Sequence, residues 1–145
     1  MKKRLGLLLS LLVTGSALAG GHHVNETGLD RFPLKAGDLS LGLSQDWRQP
    51  LPNVTRALII VHGRLRDAQT YLESGEKAAQ NAGQAANTLV IAPRFLIEAD
   101  AKHEHLDNQL LRWTDNGWMA GEPSTGPGRI SSYGALDQII KHLGN

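Results

Sequence analysis

A chain of 145 residues, 41% of them hydrophobic and 20% charged, with a formal net charge of +1, has room for one domain at most. Its basic residues are scattered rather than clustered, which excludes the electrostatic footprint of a nucleic-acid-binding protein. There is no cysteine, so no disulfide scaffold is available and an oxidising compartment poses no risk of mispairing.

The chain opens with "MKKRLGLLLSLLVTGSALAGG": Lys2, Lys3 and Arg4, an apolar run at positions 5–13, then Ala17-Leu18-Ala19. Charge, apolar run and small residues in that order predict a signal peptide at positions 1–19, cleaved after Ala19. The run is shorter than the roughly 20 residues a membrane span needs, so an uncleaved anchor is the poorer alternative. The expected location is periplasmic or secreted, with no membrane span once the signal is removed.

Positions 20–54 are rich in Gly, Asp and Asn, contain Pro33, and read as an irregular segment. Within it Leu39, Leu41 and Leu43 alternate with Ser40, Gly42 and Ser44, which predicts a short half-buried strand near positions 38–43. Pro50 and Pro52 close off a loop. Positions 57–61, "ALIIV", are apolar throughout and β-branched at Ile59, Ile60 and Val61. A strand apolar on both faces belongs inside a parallel sheet covered on both sides. Positions 88–92, "TLVIA", have the same character and are stopped by Pro93. Between the two, Ala68, Tyr71, Leu72, Gly75, Ala78, Ala79 and Ala82 recur at helical spacing, and Gly83 is a stop signal. Strand, helix and strand make a βαβ unit with a right-handed crossover.

Positions 93–129 read as a long irregular loop, of the kind that is either functional or disordered. Trp113 and Trp118 weigh against disorder, since each needs a packed surface to cover it. Ser131 or Ser132 can cap a last helix in which Tyr133, Leu136, Ile139, Ile140 and Leu143 share a face. The expected fold class is α/β, an open parallel sheet with flanking helices.

In such sheets ligands bind at the carboxyl ends of strands, and His62-Gly63 stands at one. Gly63 permits a sharp turn, after which a backbone N–H can be aimed into the crevice, as an oxyanion in acyl transfer requires.

Four segments in order, "LIIVHGRLRDAQTYL", "TLVIAPRF", "LLRWTDNGWMAGEP" and "ISSYGALDQIIKHL", resemble the N-terminal half of an α/β-hydrolase, with secreted esterases and polyester depolymerases the nearest in character. The resemblance covers positions 55–143. It implies an oxyanion loop at His62, Gly63 and Arg64, with the Arg64 N–H as donor and the His62 imidazole as a prop rather than a base. It implies that Trp113 and Trp118 form one wall of the pocket, that the substrate is a small-molecule ester, and that no cofactor takes part. It also implies a serine in a G-x-S-x-G elbow on the next strand, followed by the acid and the histidine.

That elbow is missing. "GLSQD" at positions 42–46 lacks the second glycine; "EPSTG" and "ISSYG" lack the first. The resemblance therefore makes positions 55–145 an incomplete hydrolase domain, truncated before the elbow strand and inactive alone. In the family's sheet order the elbow strand pairs with the strand at 57–61. Without it, an exposed edge, self-association and low stability are expected.

A second reading is a small secreted binding protein that uses the Trp113/Trp118 loop as its ligand surface. A third is metal binding. His103, Glu104 and His105 lie together, but no third ligand to join the two histidines is identifiable and a solvated loop is the better reading. Cleavage after Ala19 would expose Gly20-Gly21-His22, whose amine, amide and imidazole nitrogens can encircle copper(II) or nickel(II) in a plane. Asn25 and Asn53 begin glycosylation sequons, relevant only in a eukaryotic secretory route.

Overall fold

Alternating leucines at positions 39, 41 and 43 build the middle of the sheet rather than its rim. The computed structural model describes residues 30–144; the signal-peptide positions and Gly20-Gly21-His22 lie outside them. Strand β2 (Gly37–Leu43) is buried at Leu39, Ser40, Leu41 and Gly42 alike. It is not half-buried, because both of its faces are covered, one by the core around Leu39 and Leu41 and the other by the helix at Ala68–Asn81. β1 (Asp30–Leu34) pairs antiparallel with one edge and β4 (Thr88–Arg94) antiparallel with the other. Positions expected to be irregular thus form a hairpin within the sheet. Pro33 is tolerated because β1 is the outermost strand, where a missing N–H leaves its outer side unpaired at little cost. The hairpin turns at Gly37, whose φ of +136° lies where side chains are strained.

Strand β3 (Arg56–Ile59) pairs parallel with β4, and α1 (Ala68–Asn81) crosses between them. The order is β1-β2-β4-β3. The four-stranded sheet is therefore mixed, not parallel as expected: β3 and β4 form its parallel pair, and β2 runs against both of its neighbours. β4 is buried at every position. Leu89 and Ile91 join one side of the core, Val90 and Ala92 the other, as the two-residue strand period requires. β3, expected to be covered on both faces and to carry an exposed edge, lies on the sheet's rim, and Leu58 is 37% and Val61 38% exposed.

α1 covers one face with Ala68, Leu72, Gly75 and Ala79, while Ala78 and Ala82, expected on that side, are exposed. Asp67 caps it by accepting from the Thr70 N–H at 3.1 Å, and Gly83 ends it in the left-handed region at φ +66°. α1 lies so close to the sheet that a Cβ at Gly75 would stand 2.6 Å from the Val90 Cγ1. Gly75→Ala gains helix propensity of about 1 kcal/mol but overpacks against a stiff β-branched side chain, at about 1–3 kcal/mol. A net loss of about 1 kcal/mol is expected in urea unfolding; a more stable variant would show that α1 has room to move.

The opposite face is covered by α4 (Ser132–Leu143) through Ala135 and Ile139. Ser131 is its cap, its Oγ accepting from the Gly134 N–H at 2.9 Å. Tyr133 and Ile140, expected on the buried face, are each 57% exposed. Positions 93–129 are structured: β5 (Leu96–Ile97), α2 (Glu98–His103), β6 (Arg112–Trp113) and α3 (Gly117–Ala120), with β5 and β6 paired parallel. Among the described residues no helix is long and apolar enough to cross a membrane.

Candidate functional site

The chain leaves the sheet after Ile60, whose N–H bonds the Ile91 carbonyl at 2.9 Å, and residues 61–67 make the corner before α1. His62 is the pivot, 4% exposed. Its Nε2 accepts from the Phe95 N–H at 2.9 Å. The ring proton is therefore assigned to Nδ1, which donates to the Gly63 carbonyl at 2.8 Å. The ring lies against Trp118 at 4.7 Å and Phe95 at 5.8 Å. Burial pushes its pKa down to about 4; the Gly63 carbonyl acts against that, while Arg66 and Arg94 add to it. His62 is thus neutral near pH 7 with both nitrogens engaged, which leaves no lone pair for a general base.

Gly63 is not in the left-handed region; a Cβ there would stand 2.8 Å from the Tyr71 hydroxyl oxygen, the movable end of that side chain. The residue that takes the left-handed conformation is Arg66, at φ 58°. Its N–H closes the turn on the Gly63 carbonyl at 3.0 Å, so Arg64 and Leu65 are the central residues. Among the described residues the Arg64 N–H meets no hydrogen-bond acceptor, whereas its carbonyl accepts from Arg66 Nη1 at 2.7 Å. The Arg64 side chain is 72% exposed and lies 3.7 Å from Asp115.

Two buried ion pairs hold the turn down. Arg66 grips Asp100 through Nε at 2.7 Å and Nη2 at 3.2 Å. Arg94, at the end of β4, grips Glu104 at 2.9 and 2.6 Å and donates through Nε to the Arg66 carbonyl at 3.2 Å. Asp100 also accepts from the Ile97 N–H at 3.0 Å, fixing the start of α2. Of these four residues only Glu104 is singled out from the sequence, and for a different role. The available signal was Arg94 itself, a charge directly following the apolar "TLVIAP".

Trp113 and Trp118, expected on a pocket wall, are buried side chains. They are 1% and 6% exposed, Trp113 edge-on to Phe95 at 5.1 Å and Trp118 stacked on it at 5.8 Å. Both indoles thus pack inward as core, against Phe95 and, for Trp118, also His62. Both indole N–H groups are buried without a partner among the described residues.

The serines nearest to an elbow pattern all serve the backbone. Ser44 Oγ accepts from the Val90 N–H at 2.8 Å. Ser124 donates to the Gly128 carbonyl at 2.6 Å and accepts from the Ile130 N–H at 2.9 Å. Ser132 donates to the Trp118 carbonyl at 2.6 Å. His103 and His105 are exposed on either side of Glu104, which is committed to Arg94. Among the described residues no group of three or more His, Cys, Asp or Glu is placed to hold a metal ion. The corner therefore offers a clamped turn at the carboxyl end of a strand on the sheet's rim, where the N–H groups of Val61, His62, Gly63, Arg64 and Leu65 meet no acceptor among the described residues. Compared with known proteins, the chain matches no family model, no curated protein and no solved structure.

Proposed function

We propose that this chain is the oxyanion-loop portion of a secreted α/β-hydrolase that cleaves an ester, and that by itself it does not hydrolyse. The observation that carries this reading is the corner: a turn held by His62, Arg66 and Arg94 that leaves the Arg64 N–H without an acceptor. The position of β3 on the rim supports it too, since the resemblance pairs an elbow strand with that edge. In the whole enzyme a serine at the end of such a strand would attack the ester carbonyl. The carbonyl oxygen would gain the negative charge, the Arg64 N–H would donate to it, and collapse of the tetrahedral species would expel the alcohol. One such donor is worth about 100–1,000-fold in rate.

The test is to read the gene past the codon for Asn145 and to assay both products. The extended frame should contain a G-x-S-x-G elbow, and its product should hydrolyse p-nitrophenyl butyrate and be labelled by a fluorophosphonate; residues 20–145 should do neither. Hydrolysis by residues 20–145, or an extended frame without an elbow, would overturn the proposal.

The apolar rim adds an expectation about association. Ala57 and Leu58 are exposed on β3, and unpaired strand edges of this kind template pairing with another chain. Residues 20–145 should sediment as a concentration-dependent oligomer, and Ala57→Lys should return it to monomer. A wild-type chain that stays monomeric at high concentration would show that the edge is protected.

A further inference from the structure

Far along α4 from the corner, an open groove of about 860 Å³ lies between the β1–β2 hairpin and the second half of that helix. Its floor is apolar: Phe32, Leu34 and Ile130. Around it stand Lys35, Arg129 and Lys141, and no carboxylate lines it. The charge is unusual for this molecule. Elsewhere cations meet carboxylates: Arg31, Arg48, Arg64, Arg66, Arg94, Lys102 and Arg112 each form an ion pair. Lys35, Arg129 and Lys141 form none, a condition that among the described cations only Arg56 and Lys77 share.

Lys141 has a structural reason to be where it is, since a cation complements the carboxyl end of α4. Lys35 and Arg129 have no such reason, being on loops. One wall is braced by aromatic contacts: His142 lies 5.1 Å from Phe32 and 4.7 Å from Trp47, and Phe32 lies 5.2 Å from Trp47. A braced apolar floor under unpaired cations is complementary to a molecule with an apolar chain and one anionic head.

We propose that this groove binds a medium-chain fatty carboxylate, its alkyl chain along Phe32, Leu34 and Ile130 and its carboxylate among Lys35, Arg129 and Lys141. The groove is separate from the corner, and the proposal does not rest on the hydrolase reading.

Calorimetric titration of residues 20–145 with decanoate, below its micelle concentration and at low salt, tests it. Parallel titrations use decanol, acetate and phosphatidylglycerol vesicles, and Trp47 emission reports the location. Saturable binding of decanoate is expected, with an emission change that Trp47→Phe abolishes. Lys35→Gln with Lys141→Gln should weaken it about tenfold, two exposed charge pairs near the top of their usual range, and Arg56→Gln with Lys77→Gln should leave it unchanged. These are exposed positions, so folding is not at stake. Equal binding of decanol would mean a merely apolar site, equal binding of acetate a merely ionic one, and binding to vesicles alone a membrane-facing surface. Each of those results, or no saturable binding, would overturn the proposal.

Discussion

Arg94→Met should cost the protein about 3–5 kcal/mol in urea unfolding, the usual consequence of removing one partner from a buried ion pair. The Arg94 and Glu104 side chains are 3% and 9% exposed. Without the guanidinium, the Glu104 carboxylate keeps its desolvation cost and loses both bonds, at 2.9 and 2.6 Å. Replacing the pair together is a different matter: Arg94→Met with Glu104→Leu removes both charges, so most of the loss should be recovered. Total stabilities of small domains run to about 5–15 kcal/mol, so a single variant that fails to fold while the double variant folds is the same result in its extreme form. The site should feel the change as well. Arg94 also holds the Arg66 carbonyl at 3.2 Å, so in a variant that folds the amides of residues 62–66 should exchange with solvent faster. A loss below about 1 kcal/mol with unchanged exchange would mean that the pair is not what clamps the corner.

Acid should loosen the same corner through His62. In the folded protein the imidazole has a pKa of about 4, lowered first by burial; in the unfolded chain it returns to about 6.5. Between those values the unfolded state binds the extra proton, so stability rises with pH. His62 therefore contributes no penalty above about pH 6.5, an increasing one as the pH falls below it, and the full penalty by about pH 4. The gap in pKa corresponds to about 3 kcal/mol. His62→Gln keeps an acceptor for the Phe95 N–H but has no proton to take up, so its stability should fall less over that window. Asp46 and Asp107, whose carboxyls Arg48 and Arg31 hold below the ordinary value, act at lower pH and equally in both proteins. Parallel curves for wild type and variant between pH 7 and 4 would rule out a buried neutral His62.

The two expectations meet at one place. His62 ties the turn to Phe95, Arg66 ties it to α2, and Arg94 ties Arg66 to the end of β4. A donor intended for an oxyanion works only if it is already in position, because the rate gain comes from not having to reorganise. The Arg64 N–H sits at the centre of a turn restrained from three sides. Buried charge is an expensive way to restrain a loop, and an apolar replacement of both partners is expected to be about as stable. Under the proposed hydrolase reading the ion pairs serve position rather than stability, and the exchange measurement on residues 62–66 separates the two.

Periodicity alone was enough for α1, because four turns of small apolar residues between Asp67 and Gly83 carry both caps and a face. It was enough for the identity of β3 and β4, since two short apolar runs bounded by turn signals can hardly be anything else. It determined that a corner stands at His62-Gly63. Which strand fills the other side of β4 was not legible. Burial of β4 and exposure of β3 follow from β2 taking the other side of β4, a pairing between positions some fifty residues apart that leaves no mark in either local pattern. The same holds for Trp113 and Trp118: their size announces a packed surface, but only Phe95 and His62 beneath them turn the rings inward. The ion pairs Arg66–Asp100 and Arg94–Glu104 were beyond sequence reasoning because a charge reads as solvated until the tertiary structure buries it. Local propensity thus determined the elements of this protein, and the long-range pairing of strands and charges decided which of them face water and which the core.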